Sequence, residues 1–399
     1  MPGSDGPRML TSPAMSPRPK PPTRKDRLRR LVRDLRDAPA WHAAGRSDLL
    51  RVAIVTMGSS STCLEQFAPL ARHRRRIRDE LRTVFRTAWI DPASGRVPSW
   101  VGAADACLVQ VNHFIEVQRG MRLLDDLSRT CPAATLLYYD GDDDAGVAWP
   151  EVAGRCALVV KNQLYRDRSW YTREFIGKCN LTDHVARVHG ISFADDPYPR
   201  SRPLPHAALD RLWLGWNLGC SSTVRRFGST DAPAGQRLHD VILRADVPTG
   251  WVAPLRRPAV EALERLSSRL QVILPDRRVD HATYRAEMLA SRICLSPFGN
   301  GEVCHRDFEA VLAGCLLVKP DMSHLETRPD VFRAGETCAT VRWDWSDLEQ
   351  VVERHLADPV ATERIVRAAR RELEHHLSGD GVVANFGEQL RRVGLRQGN

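Results

Sequence analysis

The chain has 399 residues, 43% hydrophobic and 27% charged, the balance of an ordinary soluble globular protein. Its formal net charge is +9, yet residues 1–48 alone carry eleven Lys/Arg against five Asp/Glu. The remaining body is nearly neutral, which argues against nucleic acid as a partner, and no run approaches the roughly 18 apolar residues of a membrane span.

Residues 1–23 are rich in Pro, Ser, Thr and Gly and read as a disordered leader. The leader has no apolar core, so no secretory signal is read there and a cytoplasmic location is expected. Residues 24–48 contain RKDRLRRLVRDLRD, with Leu28, Leu31, Val32 and Leu35 at helical spacing among arginines. This basic helix either packs on the body or makes peripheral contact with an anionic membrane. Ten cysteines are scattered without a C-x-x-C pair, which favours buried thiols over a zinc ribbon.

Residues 49–196 alternate apolar runs with helical patterns. LLRVAIVTM predicts a buried strand, followed by the turn Gly58–Thr62. LEQFAPLARHRRRIRDELRTVF predicts one helix. ACLVQVN, ATLLYYD and CALVVKN predict strands, and FIEVQRGMRLLDDLSRT a helix. Residues 197–206 lie in a proline-rich stretch without periodicity and read as a linker. Residues 207–377 then repeat the alternation, from LDRLWLGWNLG through HDVILRA, QVILP, RICLSPF, CLLVKP and TCATVRW as strands. RPAVEALERLSSRL, HATYRAEMLAS, CHRDFEAVLAG and DLEQVVERHLAD are the intervening helices. PVATERIVRAARRELEHHL, with Pro359 at its start, closes the fold and braces the domains. Residues 378–399 remain as a C-terminal tail. The pattern implies an α/β protein of two Rossmann-like doubly wound domains facing across a cleft, an N-terminal acceptor-side half and a C-terminal donor-binding half.

The densest chemistry sits in SPFGNGEVCHRDFEAVLAGCLLVKP, Ser296 to Pro320. Gly299 and Gly301 would let the backbone approach a ligand closely. A helix starting near Cys304 or His305 would offer its unpaired N–H groups to a phosphate. His305 and Arg306 add donors, Lys319 a charge at a strand end, and Glu309 a carboxylate able to accept from a ribose diol. Neither a Gly-x-Gly-x-x-Gly fingerprint nor a Walker A sequence is present.

RDFEAVLAGCLLVKP resembles the carboxyl-terminal domain of GT-B glycosyltransferases, particularly the group 1 and exostosin-like members. The likeness rests on the Glu-Ala step, the glycine five residues on (Gly314), the apolar strand and the arginine before the Glu. It implies that Glu309 binds the ribose of a nucleotide-sugar donor and that the turn holding Asn217 touches donor phosphates. Many retaining members carry a second Glu eight positions earlier. Here Gly301 holds that position and Glu302 follows one residue late.

The acceptor side offers His113 after ACLVQVN and the acidic run Asp140, Asp142, Asp143 and Asp144 after ATLLYYD. His113, Asp140 or Asp142 would deprotonate an acceptor hydroxyl. Alternatively the acids hold Mg²⁺ or Mn²⁺, as Asp-x-Asp does in GT-A enzymes, or form a solvated loop. The expected activity is transfer of a sugar from a nucleotide diphosphate to a glycan, lipid-linked or small-molecule acceptor. No cofactor is required, although a divalent metal is possible. The alternative is a non-catalytic protein that binds the same ligands.

Overall fold

A computed structural model describes residues 40–395, apart from 45–47, 58–64, 92–93, 112–114, 229–236 and 248. Most of the basic segment 24–48 therefore lies outside the described residues; 40–44 are helical. The first sheet has six strands in the order β2-β1-β3-β4-β5-β7. These are β1 (Leu50–Thr56), β2 (Thr83–Trp89), β3 (Ala106–Gln110), β4 (Thr135–Asp140), β5 (Leu158–Lys161) and β7 (Leu212–Leu214). The second sheet has the order β13-β11-β10-β8-β9. It comprises β8 (His239–Ile242), β9 (Val272–Ile273), β10 (Ser291–Leu295), β11 (Leu316–Pro320) and β13 (Ala339–Val341). Every pairing within both sheets is parallel.

The strands form where the sequence offers short apolar runs buried on both faces, as in Ala106–Gln110, whose five residues are all buried. Odd and even residues of β1 feed different cores. Ala53 and Val55 pack with Leu123, Leu124 and Leu127 of the helix Val117–Thr130. Val52 and Ile54 pack with Phe67, Ile77 and Phe386. In the second sheet Val241, Ile293, Leu316 and Val318 pack on Ala259, Leu263, Leu348 and Val352.

Four expectations are corrected. The long helix after β1 ends early. Ala68–Arg72 and Arg74–Leu81 are separate helices, Arg82 takes a left-handed conformation at φ 46°, and Thr83 opens the edge strand β2. LWL does not open the second domain. It pairs with β5, Val159 opposite Leu212, so the crossover lies after residue 214 rather than at 197–206. The segment Asn180–His189 is a helix the alternation did not suggest. Residues 378–399 are not a tail: Asp380–Arg392 is a helix whose Val382, Val383, Phe386 and Leu390 pack on the first sheet. That helix returns to the N-terminal half, while Pro359–Leu377 stays on the C-terminal half beside Leu316–Pro320. Among the described residues, no helix is long and apolar enough to cross a membrane.

The halves are also stitched by a short antiparallel ladder. β6 (Gln163–Tyr165), one residue beyond β5, pairs with β12 (Leu325–Thr327) from the second half.

The return helix closes one face of the first sheet, with the fully buried Phe386 ring 5.5 Å from Phe85. Phe386→Ala should lower unfolding free energy by about 3–5 kcal/mol, read as a lower urea midpoint at unchanged m-value. A loss under about 1 kcal/mol would show that this helix is dispensable to the core.

Candidate functional site

Strands β4 and β10 both deliver their carboxyl ends to the seam between the halves, the edge where open parallel sheets place their chemistry. The loop after β4 carries the acids and the loop after β10 carries the glycines. They touch. A Cβ on Gly301 would sit 1.7 Å from the Asp143 carbonyl oxygen, so only glycine fits. Gln163 of β6 clamps the contact: its Nε2 donates to Asp143 O at 2.6 Å and to Glu302 Oε2 at 3.3 Å. Gly301 therefore serves the approach of the opposite half, not the phosphate approach expected for it.

Glu302 is 0% exposed, and its Oε1 has no hydrogen-bond partner among the described residues. Burial, and then the Asp144 charge, push its carboxyl up to about 7.

The acids are buried, not solvated, and lysines face them. Asp140 Oδ2 lies 3.1 Å from Lys161 Nζ. Lys178 lies 3.3 Å from Asp142 Oδ2 and 2.7 Å from Asp144 Oδ2. Asp140 Oδ1 accepts from the Asp142 amide at 3.1 Å, and Asp144 Oδ1 from the Gly146 amide at 2.8 Å. Burial raises the Asp140 pKa despite the Lys161 charge. These pairings correct one expectation: Asp140 and Asp142 are not free bases, since Lys161 and Lys178 stand against them. No group of three His, Cys, Asp or Glu side chains converges as a metal site among the described residues. His113 lies outside them.

On the donor side the helix begins at His305, as its cap signals suggest. Its first turn is partly satisfied from within: Asp307 accepts from the Cys304 amide at 2.8 Å. Lys319 meets Asp307 at 2.9 Å, and both side chains are fully buried. Lys319 is therefore a structural ion pair and not a diphosphate ligand. Asn217 is likewise structural. Its Oδ1 accepts from the Gly219 amide and its Nδ2 donates to Pro329 O, each at 3.0 Å.

The other donor-side residues gather around Gly299. Arg306 donates from Nη1 to Arg244 O at 2.8 Å and from Nε to Ser296 Oγ at 3.2 Å. Arg256, to which no sequence motif points, donates from Nε to Phe298 O at 3.0 Å. A Cβ on Gly299 would lie 2.6 Å from Arg256 Nη2. Burial, and then the Arg306 charge, lower the Arg256 pKa. Neither guanidinium forms an ion pair with a carboxylate among the described residues. Both side chains are half-buried. His305 Nε2 is buried without a hydrogen-bond partner among the described residues. One turn inward, Glu309 is 6% exposed, and Tyr284 donates to its Oε2 at 2.7 Å. Arg256 and Tyr284 escape sequence reasoning for one reason: each stands on a separate helix, Ala253–Leu266 and His281–Leu289, whose docking on the glycine loop no local pattern encodes.

Residues 256–384 match the family profile described as Glycosyl transferase-like. Over those residues the second half is similar to that family. The matched span opens on Arg256 and contains the glycine loop, Arg306 and Glu309. Across the whole chain, a glycosyltransferase from Rickettsia africae ESF-5 superposes with a TM-score of 0.50 at 10% identity. That match covers 87% of this chain and 99% of the other, and the likeness is one of fold. Sucrose-phosphate synthase from Thermosynechococcus elongatus gives 0.43 at 12% identity, covering 86% and 99%. A UDP-forming α,α-trehalose-phosphate synthase from Burkholderia vietnamiensis gives 0.44 at 10%, covering 86% and 100%. No curated protein matches the chain. The two halves thus have the paired, parallel-sheet α/β architecture expected from the alternation of strands and helices, and the fold is shared with that glycosyltransferase.

Burial of Glu302 ties stability to pH. Its ordinary value is 4.5 and its folded value about 7. Below the lower value both states hold the proton. Between the two, the folded state keeps a proton that the unfolded chain has released, so stability falls as pH rises. The loss is complete above the folded value and amounts to about 3 kcal/mol at most. Glu302→Gln should remove this slope and be the more stable protein at about pH 8. Denaturation at several pH values tests it; parallel pH profiles for both proteins would contradict the assignment.

Proposed function

We propose that the protein moves a glycosyl group from a nucleoside diphosphate sugar to an acceptor hydroxyl. The observation that carries this reading is the guanidinium pair Arg256 and Arg306. Two half-buried cations near each other repel, and among the described residues no carboxylate stands at ion-pair distance from either, Asp246 and Asp307 acting only from further away. Arg256 lies against Gly299 and Arg306 against Pro297, ahead of the His305–Leu312 helix, whose dipole also favours negative charge. A diphosphate supplies that charge with bidentate geometry. His305 Nε2 offers a further polar contact, and Glu309, oriented by Tyr284, would accept from the ribose hydroxyls.

In the reaction, the bond from the sugar's anomeric carbon to the diphosphate oxygen breaks. A bond from that carbon to the acceptor oxygen forms, and the acceptor proton departs. Arg256 and Arg306 would stabilise the negative charge growing on the diphosphate. With Asp140 and Asp142 paired to lysines, His113 is the acceptor-side base that this reading retains. The lysine pairing also favours a second reading, a protein that binds the donor without transferring it. Detection of a glycosylated acceptor or hydrolysed donor separates the two.

A thermal-shift series against UDP-, GDP-, dTDP- and ADP-sugars tests the donor site. One nucleotide class should stabilise the wild type, and Arg256→Ala and Glu309→Ala should each lose most of that shift. Equal shifts in all three proteins would remove these residues from the site. Tyr284→Phe deletes one hydrogen bond to a carboxylate and should weaken donor binding roughly tenfold. On this reading Lys161 and Lys178 neutralise the acidic loop, so donor binding should persist in EDTA, and its loss there would favour a metal-held donor.

A further inference from the structure

We propose that Gln163 is a positioning residue, part of a proton-sensitive latch that holds the donor loop of the second half against the acidic loop of the first. The inference rests on the donor-site reading for its consequence, but not for its geometry. One amide group reaches both loops: the Asp143 carbonyl of the first half and Glu302 of the second. Gly301 lets the backbones close to contact at the same point. The loop so held, residues 296–303, carries Gly299 and lies against Arg256.

A carboxyl group is an odd choice for a permanent seam. A glutamine would make the same contact without the risk of a buried charge. The groups around Glu302 decide its state. The acidic loop presents Asp144, with Asp142 beside it, and Lys178 is shared between those two. Lys161 belongs to Asp140. Cys179, Tyr165 and Tyr171 also face Glu302, and burial holds each of them neutral. Asn180, whose side chain assists Glu302, contacts His324, and burial pushes that imidazole down to about 4. Among the described residues, no cation is left over for an ionised Glu302. Losing its proton puts a further negative charge beside Asp142, Asp144 and Lys178. Gln163 and Asn180 favour the ionised form, but burial and the Asp144 charge oppose it more strongly; repulsion across the seam then outweighs the Gln163 bond, and the donor loop is released from the opposite half.

Hydrogen–deuterium exchange of the full chain without any ligand tests this. In the wild type, corrected exchange in 296–303 should accelerate at least about tenfold between pH 6 and pH 8, since each pH unit changes the ionised-to-neutral ratio tenfold. Glu302→Gln should keep the loop protected across that range. Gln163→Leu should leave it unprotected at both ends, while exchange in β8 and β10 stays at the wild-type level. A wild-type loop insensitive to pH, or a Glu302→Gln loop that tracks the wild-type profile, would overturn the latch. Should Gln163→Leu fail to fold, the wild-type and Glu302→Gln profiles still decide. Failure of the donor reading would appear elsewhere, as equal thermal shifts in wild type and Glu309→Ala.

Discussion

The approach of Gly301 to the Asp143 carbonyl is the constraint from which the arrangement of the seam derives. No side chain larger than hydrogen fits between them. The contact brings the loop after β4 and the loop after β10 into one buried volume, and the β6–β12 ladder beside it fixes their register. Once the loops meet, water is excluded from Asp140, Asp142, Asp144 and Glu302 together. Four carboxyl groups in such a volume need cations or protons. Lys161 and Lys178 supply part of the need, and burial favours the protonated form of Glu302.

The two sides of the seam solve their electrostatics differently. The acidic loop is answered internally, by Lys161 at the end of β5 and Lys178 just before the helix Asn180–His189. The same is true of the Lys319–Asp307 pair under the His305–Leu312 helix. Arg256 and Arg306 differ: they donate to backbone carbonyls and the Ser296 hydroxyl, and among the described residues neither has a carboxylate at ion-pair distance. Ion pairs that close among themselves leave no charge for a ligand, whereas a guanidinium without a carboxylate in reach can still take an anion.

Much of the architecture is legible in the sequence because parallel strands buried on both faces must be short, apolar and separated by helices. β1, β3, β4, β10 and β11 all announce themselves this way. The departures share a cause. β2 is an edge strand, TVFRTAW, whose mixed pattern continues the preceding arginine-rich helix without a break. Along the chain LWL runs into the glycine turn Gly215–Gly219, whereas its hydrogen bonds run back to β5. At the site, Glu309, Arg306 and His305 are visible in one motif. Lys319 and Asn217 look equally available, and only their burial shows that Asp307 and Pro329 hold them.

By itself the sequence determined the alternation of strands and helices, the near-neutral body, and a glycine-arginine-glutamate segment suited to a diphosphate and a pentose. These are local properties, set by side-chain type and spacing along the chain. Only the tertiary structure decided which charges are answered. It set Lys178 against Asp144, left Arg256 beside Arg306, and brought Asp380–Arg392 back across the first sheet. Each of those outcomes joins residues from separate elements, and a charge acquires its partner only when the packing of those elements removes the water between them.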